Sequence, residues 1–307
     1  MTNCAIIALD EAVSSLAAQT PILALDTSSI NKLTRDPEST PLMAGIKTGY
    51  HTRLTGSNLA EIAATQNSEG RHRLLDTCQR LLIAGDCIDP FSWIIEKHIK
   101  RFESNPKDYY WKRVIVRNRV FEKEIADRQS LSDEMAQQEK ASAEEAKERF
   151  EDIFCSMRPT FNELFSNRAE HSGAERPQTF ADFAKILQRP GGAFWTGYGR
   201  KFYARNVENE PDEAKLRDFA GRCPPFVMMV LAALMAQYER AIVSAPPKKK
   251  RAGRVDLLMA VYLAYCRVFV TNDRDQLKCL RKMGAVAGLD TEVLTYREFR
   301  GRLLCFV

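Results

Sequence analysis

Four acidic residues stand where they could share one site: Asp26, Glu61, Asp256 and Asp273. The first directly follows the apolar run Ile22–Leu25, and the last comes just after a second apolar run, Val268–Thr271. The other two lie in segments with helical periodicity. Because the carboxyl ends of parallel strands line the ligand crevice of an open sheet, adjacent strands would bring the first and last acids together. The spacing predicts an acidic cluster at that edge.

Such a cluster makes physical sense when divalent cations neutralise it, because bare carboxylates in a small volume repel one another and raise one another's pKa. Mg²⁺ and Mn²⁺ prefer oxygen ligands, accept substrate phosphates and can activate water against a phosphodiester. The four histidines show no HExxH spacing, so a zinc site has little support. We expect Mg²⁺ or Mn²⁺ on Asp26, Asp256 and Asp273. Asp275 either joins them through water or caps the following helix.

Small polar residues flank the predicted ligands: Ser28, Asn58, Thr271 and Asn272. They could hydrogen-bond metal-bound water or phosphate oxygens, although such residues at strand and helix ends usually serve the local backbone. We expect them to surround the ligands, and we predict that Ser57 or Asn58 caps the helix that carries Glu61.

A basic run precedes Asp256 in the chain: Lys248, Lys249, Lys250, Arg251 and Arg254. Its position predicts that it holds a nucleic-acid backbone near the metals. A solvated loop and a nuclear localisation signal are the other interpretations.

Two segments mix aromatic with basic side chains and could stack bases. Tyr109, Tyr110 and Trp111 lie in the stretch 100–119, which holds seven basic and two acidic residues, and residues 194–203 suggest a mobile recognition loop. Aromatic residues on a helix are, however, more often part of the core. Residues 121–152 hold eleven acidic and five basic residues, so we expect them to face away from RNA or towards a protein partner.

The elements that must position these residues form two end segments and a helical middle. Beside the two apolar strands, the periodicity predicts a strand-helix pair over 292–304 and helices around 71–84, 255–266 and 277–282. Further helices are predicted to start at Thr179 and near Pro211 and Pro224. We predict a discontinuous α/β domain of residues 20–100 and 245–307. We predict that residues 101–244 form a helical insertion that is looped out without disturbing the site or instead covers it, and that restricts which RNA reaches the site.

Four segments together resemble the PIN-domain family of ribonucleases. Residues 22–28 and 268–273 are similar to its first and late strands, and residues 59–62 and 255–258 to its two intervening acidic helices. The four acids also follow the family's order. The resemblance implies a three-layer α/β sandwich with a central parallel sheet that hydrolyses RNA with Mg²⁺ or Mn²⁺. It implies catalytic roles for Asp26, Glu61, Asp256 and Asp273.

Other interpretations fit fewer of these features. Residues 22–29 also resemble the opening strand of the actin-like, sugar-kinase-like fold, but no glycine-rich phosphate loop follows. A haloacid-dehalogenase-type phosphatase would want an aspartate where Ser28 stands. The main alternative is a PIN-like scaffold that binds RNA or a protein partner without cutting, its carboxylates kept for a structural ion.

Composition favours a soluble, cytoplasmic protein. The 307-residue chain is 45% hydrophobic and has a net charge of +5. Its eight cysteines form no CxxC pair, which favours buried thiols in a reducing compartment. We expect no signal peptide, and the apolar stretch 226–236 is too short to cross a bilayer, so we expect no membrane partner.

Overall fold

Five short parallel strands form the central sheet of the computed structural model, which describes residues 20–82, 87–116, 121–160, 162, 177–243 and 252–305. The strands are β1 (Ile22–Leu25), β2 (His51–Thr55), β3 (Cys87–Ile88), β4 (Val268–Thr271) and β5 (Glu292–Thr295). Their spatial order is β3-β2-β1-β4-β5, and every neighbouring pair is parallel. The chain moves outward from β1 to β2 and β3, then crosses back to place β4 on the other side of β1. Such a reversal leaves a crevice at the carboxyl ends of the two central strands.

Helices make up most of the rest of the described chain. In chain order they are α1 (Thr27–Arg35), α2 (Ser39–Gly49), α3 (Gly56–Ala63), α4 (Ser68–Leu81), α5 (Phe91–Ser104), α6 (Phe121–Gln129), α7 (Asp133–Cys155), α8 (Phe180–Leu187), α9 (Arg200–Ala204), α10 (Glu213–Arg222), α11 (Pro224–Gln237), α12 (Arg254–Leu258), α13 (Ala260–Leu263), α14 (Arg274–Ala287) and α15 (Tyr296–Leu304). Shorter turns lie at Trp111–Arg113, Phe194–Gly199 and Tyr238–Ile242.

Helices cover both faces of the sheet. Successive side chains of a strand point to opposite faces, and the apolar side chains on each face pack against helices. Leu23 and Leu25 of β1 pack with Val270 of β4 against α1 to α4 and α15. Ala24 and Phe269 face the other way, into a core shared with α5, α8, α10, α11, α13 and α14. The predicted α/β class with a central parallel sheet between helices is confirmed.

The helix α11 belongs to the segment predicted as an insertion, yet it packs inside the molecule. It contacts α12, α13 and α14, and its Met228, Leu231 and Leu234 are fully buried in the core that contains Phe269 of β4. The expectation that the whole segment is looped out is therefore wrong for α11, because the sheet needs an apolar helix on this face. The predicted domain boundaries stay a prediction.

The apolar run that contains α11 is also longer than the sequence suggested. Pro224–Ile242 is long and apolar enough, by length and composition, to cross a membrane. However, 83% of its apolar window is buried among the other helices. A core helix shows the same combination of length, composition and burial. The expected absence of a membrane partner remains a prediction.

Several local predictions differ from the structure. The strands β2 and β3 and the helix α2 were not predicted, and the helix expected over 255–266 is divided into α12 and α13. Thr55 caps α3, with Asn58 at the third helical position, so neither Ser57 nor Asn58 is the cap. Pro211 precedes the cap of α10 and does not lie in its first turn, whereas Pro224 begins α11 and Thr179 caps α8 as predicted.

Candidate active site at the carboxyl edge of β1 and β4

Asp26 directly follows the last residue of β1 and is buried, with 6% of its surface exposed. Its Oδ1 accepts a hydrogen bond from the N–H of Ser29 (2.7 Å), which caps α1. Its Oδ2 lies 2.7 Å from the hydroxyls of both Ser28 and Thr271. The Asp26 N–H donates to the carbonyl of Val270 in β4 (3.0 Å). Burial is the largest influence and raises the pKa of this carboxyl, although the hydrogen bonds act in the opposite direction.

Thr271, the last residue of β4, connects the two central strands to α14. Its Oγ1 lies 2.7 Å from Asp26 Oδ2 and 2.5 Å from Gln276 Oε1, and one hydroxyl proton can serve only one of these acceptors. The Gln276 amide is oriented by its Nε2, which donates to the carbonyl of Asp256 (3.1 Å). Both contacts are satisfied when Asp26 is protonated, since Asp26 then donates to Thr271 and Thr271 to Gln276. When Asp26 is ionised, Thr271 donates to Asp26 instead, and this hydrogen bond lowers the pKa of the carboxyl.

Asp273 lies at the exposed rim of the crevice and caps α14. Its Oδ1 accepts from the N–H groups of Asp275 (2.7 Å) and Gln276 (2.9 Å). Asp275 is therefore not the cap; it stands in the first turn of α14, 3.5 Å from the ammonium of Lys278. Asn272 is also exposed, and its N–H donates to Ser28 Oγ (3.0 Å).

Asp256 lies in the first turn of α12, at the third helical position. Its Oδ2 accepts from the N–H of Gly253 (2.6 Å). Burial raises the pKa of Asp256, and the charges of Asp273 and Asp26 raise it further. Lys147 of α7 acts in the opposite direction.

Glu61 lies one turn into α3, half-buried, and hydrogen-bonds to Thr27. Burial is the largest cause that raises its pKa to about 7, and the charges of Asp256 and Asp26 act in the same direction. Near neutral pH this carboxyl therefore exchanges a proton readily.

Asn58 joins β1, β2 and α3. Its Oδ1 accepts from the N–H and the hydroxyl of Thr55, both at 2.9 Å, and its Nδ2 donates to the Leu25 carbonyl (3.1 Å) and to Thr27 Oγ1 (3.3 Å). The side chain is fully buried. Asn58 thus holds Thr27, the partner of Glu61, and its amide is already used within the fold.

The four predicted acids therefore act electrostatically on one another, as the sequence suggested. Their all-oxygen donor set suits Mg²⁺ or Mn²⁺, and neighbouring acids raise the pKa values of Glu61 and Asp256. Within the described ranges, however, no three His, Cys, Asp or Glu side chains are grouped so that they could hold one metal ion. Binding a single ion by three or more of these acids would therefore require side-chain rearrangement.

Of the residues predicted to bind nucleic acid, only Arg254 lies among the described residues. Lys248, Lys249, Lys250 and Arg251 lie outside the described residues. Arg254 is exposed as the first residue of α12, two positions before Asp256.

The predicted aromatic platforms are mostly core. Tyr109 is 3% exposed, and its hydroxyl lies 2.9 Å from Nδ1 of the buried His98. Trp111 packs edge-on against Tyr265, which leaves Tyr110 as the exposed member of that trio. Residues 194–203 form helical turns with buried aromatic side chains, so the expectation of a recognition loop is wrong there.

The acidic stretch 121–152 packs against the helix that carries Glu61. It forms α6 and most of α7, and both helices contact α3, which carries Glu61. Lys140 of α7 donates to Gln66 Oε1 just beyond α3 (3.2 Å). That its acidic side chains face away from RNA or towards a protein partner stays a prediction.

Some residues of the site were not singled out from sequence: Thr27, Lys147 and Gln276. Gln276 follows Asp273 by three positions, the spacing of a helix capping box, and that signal could have identified it. Lys147 carries no comparable local signal. Comparison with protein-family models, curated proteins and solved structures found no match for this chain.

Proposed function

We propose that this chain is a metal-dependent ribonuclease of the PIN-like type, with Asp26, Glu61, Asp256 and Asp273 as its active-site residues. One observation supports the proposal above all others. Two acids stand at the carboxyl ends of the central strands β1 and β4, joined through Thr271, at the reversal point of the sheet.

The residues of the site would have different roles in the reaction. Bound here, Mg²⁺ or Mn²⁺ would supply a Lewis acid for a phosphoryl oxygen and lower the pKa of a bound water. Ser28 and Thr271 fix the orientation of Asp26, and Asp273 stands at the exposed rim where substrate arrives. Glu61, with a pKa of about 7, suits proton exchange near neutral pH.

Incubation of the full chain with labelled single-stranded RNA and Mg²⁺ or Mn²⁺ tests this function. We expect cleavage that EDTA abolishes and that Asp26→Asn lowers by on the order of 100-fold or more, because a displaced metal ligand costs at least as much as a lost supporting contact.

Asp290→Asn is the matched control for that substitution. Asp290 lies at the opposite edge of the sheet, exposed and paired with Arg267, which precedes β4. The control should cleave like the unmodified chain. Equal activity of Asp26→Asn and Asp290→Asn would refute the proposed site.

A non-catalytic PIN-like scaffold that binds RNA or a protein is the second candidate. The hydrogen bonding of Asp26 favours it, since both oxygens of this carboxyl already serve the fold, by capping α1 and linking β1 to β4. RNA binding without metal-dependent cleavage would select the scaffold.

A further inference from the structure

The helix α7 carries three polar residues on one side: Lys140, Lys147 and Glu151. They are spaced by seven and four residues, which places them along one face of a helix. The first reaches Gln66 beyond α3. The face therefore spans from α3, which carries Glu61, towards the start of α12, which carries Asp256.

A buried ion pair anchors this face at its far end. Arg240 Nε donates to Glu151 Oε1 (3.0 Å), and Arg240 Nη2 donates to the carbonyl of Ala252 (2.9 Å). Arg240 is fully buried and Glu151 is 5% exposed. The pair ties α7 to the turn that leads directly into Asp256.

Lys147 lies between these two anchors and next to the acidic cluster. Its Cε is 4.0 Å from the position that a Cβ on Gly253 would occupy, and the Gly253 N–H donates to Asp256. The side chain itself is exposed. Lys147 thus brings a positive charge on an exposed side chain to the rim of the acidic site.

We infer that Lys147 is a substrate-binding residue that binds a phosphate of the RNA strand beside the acidic cluster; this inference rests on the proposed ribonuclease function. A polyanion approaching the carboxylates is repelled, and a cation on a flexible stem at the rim offsets that repulsion for strands that pass along α7. The Lys147 ammonium makes no ion pair within 4 Å in the described residues, so it is available to a phosphate that reaches this rim.

The alternative role for Lys147 is purely local, as the counter-charge of Asp256. Salt dependence separates the two roles, because each phosphate contact to a single strand contributes about 0.7 to the slope of log binding constant against log salt. A local counter-charge would leave this slope unchanged.

The test measures binding of a fluorescein-labelled single-stranded RNA at several KCl concentrations in Mg²⁺, using the Asp26→Asn full chain so that RNA stays intact. Lys147→Gln is expected to weaken binding about tenfold and to reduce the slope by about 0.7. Lys147→Arg should restore both. In the otherwise unmodified chain, Lys147→Gln should raise KM with little change in kcat.

Lys140→Gln is the matched control, since Lys140 shares the helix face but contacts Gln66 and Glu144. It should leave the slope unchanged. Lys147→Met, which keeps the apolar stem, is the second variant, and thermal unfolding confirms that each protein is folded.

The outcomes are distinct. If Lys147→Gln and Lys147→Met leave the salt slope of RNA binding unchanged, the role of Lys147 is overturned. The same holds if Lys140→Gln lowers the slope as much as Lys147→Gln does. Either result leaves the ribonuclease proposal standing, provided that the unmodified chain cleaves RNA. Absence of RNA binding and cleavage by the unmodified chain overturns both.

Discussion

At the scale of the residue, Glu61 is expected to make stability depend on pH. Its pKa of about 7 in the folded protein exceeds the ordinary 4.5, so the folded state binds more protons than the unfolded state between these values. Without divalent ions, the contribution of Glu61 to the free energy of unfolding is most favourable below about pH 4.5 and is lost as the pH rises through 7. Glu61→Gln should therefore raise the free energy of unfolding by about 2 kcal/mol at pH 8 and much less at pH 5.

Urea unfolding in EDTA at both pH values measures this difference. Glu148→Gln is the control, because Glu148 is exposed on α7. A stability gain for Glu61→Gln that is the same at pH 5 and pH 8 would contradict the assigned pKa.

Sequence patterns located some site residues better than others. Asp26 and Asp273 could be placed because each directly follows a buried strand and caps a helix, so strand and cap signals coincide. Lys147 could not be located from sequence, because its place beside Asp256 depends on the packing of α7, which the Glu151–Arg240 ion pair joins to a residue 89 positions away. Tertiary contacts of that kind leave no local pattern.

At the scale of the element, the start of α3 must pass close to the turn that follows β3. A Cβ on Gly56 would lie 2.7 Å from Pro90 Cγ and 2.9 Å from its backbone N. Gly56→Ala must push α3, and with it Glu61, away from that turn. We expect a loss of about 1–3 kcal/mol in the free energy of unfolding.

Gly221→Ala provides the matched comparison for denaturant unfolding. Gly221 lies in α10, and a Cβ there meets no atom within 4 Å. This change should be neutral or stabilising by up to about 1 kcal/mol, because alanine favours helix. Equal losses for the two variants would contradict the close approach at Gly56.

The strands differed in how far they could be predicted. The apolar runs of β1 and β4 are each buried from both faces, and that pattern stands out in sequence. The strand β2, with sequence HTRLT, has no apolar run, although four of its five residues are buried. Its polar side chains are accommodated by packing and hydrogen bonding that only the assembled fold supplies, as at Thr55 and Asn58.

At the scale of the whole molecule, one core unites segments far apart in sequence. Helices from the predicted insertion, α10 and α11, pack with Phe269 of β4 and with α13 and α14. The sheet that carries the acidic site therefore packs on a hydrophobic core that includes helices from the middle of the chain. Ions bound at the site should stabilise the entire fold, since the carboxylates belong to β1, α3, α12 and α14 or their caps.

Thermal unfolding with and without Mn²⁺ measures this coupling. At a free ion concentration of 100 times Kd, binding to the folded state alone adds about 2.7 kcal/mol, enough to raise Tm by several degrees. The shift should be larger at pH 8 than at pH 6, because ions compete with the proton on Glu61, whose pKa is about 7. Asp26→Asn should lose most of the shift while Asp290→Asn keeps it. An undiminished shift in Asp26→Asn would mean that the stabilising ion binds elsewhere on the molecule.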